Sequence, residues 1–118
     1  MVLTPSDIAR IERLGYALEE FVIKSSDGFY RLKNINGHCY FFDIATTSCK
    51  IYEHRPIGCK IYPLVIVLDL GIITVDDACP AKGSVEVEDV IKKLPLIAEV
   101  IEELDVNFDL GKAKIALY

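Results

Sequence analysis

Residues 49 to 63 read Cys49-Lys50-Ile51-Tyr52-Glu53-His54-Arg55-Pro56-Ile57-Gly58-Cys59-Lys60-Ile61-Tyr62-Pro63. Pro56 and Pro63 fix two backbone φ angles and remove two N–H donors, which stiffens the segment and works against a helix. Gly58 allows a sharp turn just before Cys59. The stretch therefore reads as a rigid loop that presents a thiol. Free amide N–H groups in such a turn can hydrogen-bond to thiolate sulfur. Arg55 and Lys60 bracket Cys59 and are expected to favour its thiolate form. Strand-like runs lie on both sides of this loop and helical patterns only near the chain ends, which points to an α+β fold.

Upstream, Thr4-Pro5-Ser6-Asp7 opens a helix. Thr4 is the cap, Pro5 occupies the first helical position, and Asp7 completes a capping box with Asp in place of the usual Glu. Leu3 and Ile8 have the spacing of a hydrophobic staple. Ile8, Ile11 and Leu14 form the apolar stripe, and Gly15 ends it. A second short helix presents Leu18, Phe21 and Val22 on one face. Glu12, Glu19 and Glu20 leave this pair too acidic for a DNA-reading helix-turn-helix, so it is read as scaffold. Ser25-Ser26-Asp27-Gly28 and Asn34-Ile35-Asn36-Gly37 are turns. Phe29 to Leu32 and His38 to Phe42 are strand candidates.

Downstream, Leu64 to Leu68 and Ile72 to Val75 form a hairpin across Asp69-Leu70-Gly71. Asp76-Asp77-Ala78-Cys79-Pro80 is loop. Val87, Val90, Ile91, Leu94, Ile97, Ala98, Ile101 and Leu104 keep one helical phase. Pro95 falls within it and predicts a kink or two abutting helices. Residues 106 to 118 are expected to add an edge strand. The expected architecture is one small domain, residues 1 to 118. Its N-terminal helix pair and C-terminal helices pack on a short antiparallel sheet beside a cysteine-rich loop region.

Composition bounds the function. The chain has 118 residues, 52% of them apolar and 26% charged, which excludes intrinsic disorder. A net charge of -5 argues against phosphate-driven nucleic-acid binding and against an anionic membrane surface. The first residues lack the basic start and apolar run of a signal peptide, and the run from Leu64 to Leu68 is too short to span a bilayer. A cytoplasmic protein is expected. Fifteen Ile, three Asn and no Gln lean toward a thermophile, where intracellular disulfides also occur.

All four cysteines, Cys39, Cys49, Cys59 and Cys79, fall between residues 39 and 79, and both histidines, His38 and His54, lie in the same window. The spacing Cys-x9-Cys-x9-Cys-x19-Cys lacks the paired Cys-x2-Cys knuckles of a zinc finger, so the loop context carries more weight than the spacing. Cys79 before Pro80 echoes the Cys-Pro ending of some iron–sulfur ligand runs.

Several segments in order resemble the YkgJ-type cysteine cluster family. They are Leu3-Thr4-x-x-Asp7-Ile8 through Phe21, Gly37-x-Cys39-x-Phe41-x-Asp43, and Cys49-x-Ile51-Tyr52-Glu53-x-Arg55-Pro56-x-x-Cys59-x-x-Tyr62-Pro63, followed by Cys79. The resemblance covers roughly residues 3 to 80. It implies a zinc- or iron-chelating domain, often labelled an iron–sulfur oxidoreductase, with an iron–sulfur cluster or zinc as cofactor. Family members normally carry a Cys-x-x-x-Cys-x-x-Cys-Cys-like cluster just before the first helix, and this sequence has none there. Lys60 also stands where an Arg is usual. The resemblance therefore carries over only Cys39, Cys49, Cys59 and Cys79 as metal ligands.

Other readings stay open. The thiols can form disulfides or remain reduced in a non-catalytic interaction domain. His38 or His54 can replace a thiol ligand. A Cys59 nucleophile would need His54 within hydrogen-bond reach as base. Arg55 is expected to anchor the loop through carbonyls or Asp43. Tyr40, Phe41, Phe42, Tyr52 and Tyr62 are read as core packing. No phosphate loop, His-x-x-x-His pair or serine elbow is present. The sequence names neither substrate nor redox partner.

Overall fold

The computed structural model describes residues 2–76 and 82–117. The chain is α+β and divides into two compact units, Met1–Cys59 and Lys60–Tyr118.

The first unit begins with α1 (Pro5–Glu12), capped by Thr4. The capping box closes both ways. Thr4 Oγ1 accepts from the Asp7 N–H at 3.1 Å, and Asp7 Oδ2 accepts from the Thr4 N–H at 3.0 Å. Gly15 takes a positive φ of 102° beyond the helix end. The second helix, α2 (Leu18–Phe21), is a single turn. Val22, expected on its face, instead opens β1 (Val22–Lys24), because a β-branched run favours extended chain. The strand β1 pairs antiparallel with β2 (Tyr30–Leu32).

Two further ribbons carry the cysteines. In the first, β3 (Asn34–Ile35) pairs with β4 (His38–Cys39) across Asn36 and Gly37, whose φ values are 52° and 80°. Both central residues are left-handed, as the tightest hairpin turn requires, and Asn-Gly is its favoured sequence. In the second, β5 (Phe42–Asp43) pairs with β6 (Ser48–Cys49). The strand read over His38 to Phe42 thus splits into β4 and β5. Phe41 lies between them, fully buried, with Tyr16 edge-on at 4.9 Å and Phe21 at 5.8 Å. Leu3, Ile11, Phe21, Leu32, Phe41 and Ile51 form the core, with Ile8, Cys39 and Cys49 packed against it.

At the unit boundary α3 (Ile57–Ile61) replaces the expected loop. Pro56 immediately precedes it, where its fixed φ is compatible with entering a helix. Gly58 is helical and is not among the positive-φ glycines.

The second unit uses longer elements. The strands β7 (Leu64–Val67) and β8 (Ile72–Val75) form the expected hairpin, closed by a 3-10 turn and by Gly71 at φ 63°. The helix α4 (Val87–Leu104) leads to β9 (Lys114–Ala116). As the sequence suggests, β9 adds an edge strand, but it runs parallel to β8, so this sheet is mixed. A parallel pair needs a crossover, and α4 lies between the two strands in the chain. Ile73, Val75, Val90 and Ile97 are buried.

The stripe of α4 is narrower than its sequence implies. Val90, Leu94, Ile97, Ile101 and Leu104 are shielded, whereas Val87, Ile91 and Ala98 are exposed. At helical periodicity those three fall to one side of the line through Val90 and Ile97. Pro95 does not divide the helix. Pro95 offers no N–H to the Ile91 carbonyl, and both residues are exposed, where water can serve that carbonyl.

Candidate metal centre

Three of the four sequence-assigned ligands belong to the first unit. Cys39 ends β4 opposite Asn34, Cys49 ends β6 opposite Phe42, and Cys59 sits in α3. Backbone bonds clip each ribbon just beyond its paired residues. The Tyr40 N–H donates to the Lys33 carbonyl at 2.9 Å, and the Lys50 N–H to the Phe41 carbonyl at 2.8 Å. Around the second ribbon's turn, Asp43 Oδ1 accepts from the Ala45 N–H at 3.0 Å.

The three thiols are half-buried and free, with no disulfide among them. They lie close enough to influence one another. Burial pushes the Cys59 thiol up to about 11, and negative charge at Cys39, then at Cys49, acts in the same direction. The expectation that Arg55 and Lys60 would hold Cys59 as thiolate is therefore overturned. Desolvation of the half-buried sulfur outweighs what these two half-buried cations return. Arg55 is occupied elsewhere: its Nη1 donates to the Tyr52 carbonyl at 2.9 Å, and its guanidinium stacks 4.2 Å from the Tyr52 ring centroid. Carbonyl anchoring, rather than Asp43, is what the structure shows.

Soft sulfur donors that repel one another as anions suit zinc or iron, since a bound cation removes both the repulsion and the proton. Among the described residues, no group of three His, Cys, Asp or Glu side chains stands at metal-holding range. Cys79, the fourth sequence-assigned ligand, lies outside the described residues. The two histidines have other roles. His38 is exposed and stacks on Phe42 at 5.0 Å. His54 is exposed in a 3-10 turn, and its carbonyl accepts from Arg10.

Sequence reasoning missed two residues that hold the start of α3. Asp7 is completely buried, and beyond its capping role Oδ1 accepts from the Ile57 N–H at 3.1 Å. That N–H is at the start of α3, where a helix offers it no partner, and Pro56 has no side chain able to cap it. Arg10 pairs with Asp7 Oδ1 at 2.8 Å and reaches the carbonyls of Arg55 at 3.1 Å and His54 at 3.4 Å. The available signal was the Asp7–Arg10 spacing of three on α1, together with a Pro-led turn lacking a local cap.

Residues 1–87 match the family described as "Putative zinc- or iron-chelating domain", CxxCxxCC. The chain belongs to that family. Membership supports metal binding, with zinc and iron as the two candidates. Over 79 residues the chain is 34% identical to the uncharacterized protein MJ0661 of Methanocaldococcus jannaschii, covering 61% of this chain and 42% of that protein. The chain thus spans under half the length of this curated relative. No solved structure matches it significantly. No described helix is long and apolar enough to cross a membrane.

Proposed function

We propose that the chain is a thiolate metal-binding protein in which Cys39, Cys49 and Cys59 supply three sulfurs and Cys79 the fourth. The match to a zinc- or iron-chelating domain carries this reading, and the influence of Cys39 and Cys49 on the half-buried Cys59 supports it. Zinc held by four thiolates would be a closed structural staple, and an iron–sulfur centre would supply one-electron chemistry. The chain's own part is to present the donors from two clipped ribbons and one capped turn, with Cys39 and Cys49 packed against the Phe41 core. Its low amide content suits a heat-stable cytoplasmic setting.

A second reading keeps the thiols reduced in a non-catalytic interaction domain. Its support is the packing of Cys39 and Cys49 against the apolar core, where buried thiols behave as small hydrophobic groups. Zinc and iron analysis of anaerobically purified chain, with a visible spectrum, separates the two. Near-stoichiometric metal in the native chain and its loss in Cys59→Ser support the centre. Brown colour with charge-transfer bands identifies iron–sulfur, and a colourless loaded protein identifies zinc. Metal-free native protein would leave the second reading.

A further inference from the structure

We infer that the buried Asp7 and its half-buried partner Arg10 are the positioning device of the thiol centre, setting the pose of the turn that carries Cys59. The inference rests on the metal-centre reading above and adds residues that are not themselves ligands.

Cys59 differs from the other two thiols in what holds it. Cys39 and Cys49 are fixed by ribbon pairing to Asn34 and Phe42. Cys59 lies in a five-residue helix that follows a proline and has no cap of its own. A helix of one turn and a half is far too short to be stable in isolation. Something outside it must fix its start, and α1 does so at three backbone groups. Arg10 donates to the carbonyls of His54 and Arg55, and Asp7 accepts from the Ile57 N–H. These contacts join residues 44 to 50 positions apart and end at Ile57, two residues before Cys59.

The chemistry of the pair fits positioning better than stability. Burying an ion pair seldom adds net stability over apolar packing, because desolvation offsets the attraction. What it adds is direction. The guanidinium fork accepts only a narrow range of carbonyl placements. The Asp7 carboxylate takes N–H groups from Thr4 and Ile57 and the Arg10 guanidinium, so the start of α1 and the start of α3 share one anion. Any shift of the Cys59 turn breaks charge-assisted bonds, and the one from Ile57 to Asp7 is buried. Groups that orient metal ligands in this way commonly change metal affinity by about 10- to 100-fold when altered.

Cobalt(II) titration of the full chain tests this, followed by thiolate-to-cobalt charge-transfer absorbance. Asp7→Asn and Arg10→Gln are expected to weaken cobalt binding by at least about tenfold and to lower the charge-transfer intensity. Arg10→Lys, which keeps the charge but loses the fork, is expected to fall between them and the native chain. Arg31→Gln, which breaks the exposed Arg31–Asp27 pair at 2.6 Å, is the control and should bind as native. A second readout needs no metal: in the metal-free variants, alkylation should accelerate at Cys59 and stay unchanged at Cys39. If Asp7→Asn fails to fold, Arg10→Lys carries both readouts. Native chain that binds no cobalt overturns the metal reading and this inference with it. Native binding with unchanged affinity and spectra in the Asp7 and Arg10 variants overturns this inference alone. Weakening by Arg31→Gln to the same degree also overturns it.

Discussion

The two halves of the chain solve the folding problem with different materials. Lys60–Tyr118 uses an 18-residue helix and a three-stranded sheet whose strands are three or four residues long. Met1–Cys59 uses an eight-residue helix, a single-turn helix and three two-stranded ribbons, two of them with strands of only two residues. A two-residue ribbon cannot support itself. The first half therefore depends on point fixtures: Phe41 between ribbons, capped turns, and the Asp7–Arg10 clamp. The second half depends on repeated apolar contact along regular elements. A site that must bring side chains together from distant chain positions suits the first design, since each fixture places one group.

The sharpest way to break this comparison is to delete one fixture. Phe41→Ala should destabilise the first unit by about 3–5 kcal/mol, read by hydrogen exchange as lost protection across β1 to β6. Ile97→Ala should cost about 2–5 kcal/mol, with the loss falling on β7 to β9 and α4. Equal loss of protection in both units from either change would erase the distinction.

Thiol chemistry sharpens the same contrast. A thiol at about 11 rather than the ordinary 9.0 carries about a hundredth of the thiolate at pH 8. Cys59 should therefore alkylate more slowly in folded metal-free protein than in the unfolded chain, and its rate should keep rising with pH up to about 11. A rate at pH 8 equal to that in the unfolded chain would show that burial does not govern it.

Smaller effects probe single turns. Gly37→Ala forces a Cβ into a φ of 80° with open space around it, so only backbone strain of about 1–2 kcal/mol is expected. Chemical denaturation measures this, and the loss should concentrate in the β3–β4 ribbon that carries Cys39. Thr4→Ala removes the α1 cap and should cost about 1 kcal/mol. A neutral result there would mean that Asp7 holds the helix start alone.

What could be read from sequence follows the same division. The Thr4 capping box, the Asn36-Gly37 turn, the β7–β8 hairpin and the α4 stripe are local signals, and each appears in the structure. The α3 turn was illegible because its own residues argue against it: Pro56 and Gly58 disfavour helix, and the missing cap comes from Asp7, 50 positions away. The direction of the Cys59 shift was illegible for a related reason. Neighbouring charges are visible in sequence, whereas desolvation depends on what folds over the sulfur. The exposure of Val87 and Ile91 shows the limit of periodicity, which gives a direction for the apolar face but not its width.

The central claim is that the three thiols of the first unit form one metal-binding group. Peptide-resolved alkylation of metal-loaded native chain, before and after adding a strong chelator, tests it most directly. The account predicts that Cys39, Cys49 and Cys59 are protected together and released together by the chelator. Labelling of the three at the same rates with and without chelator would contradict it.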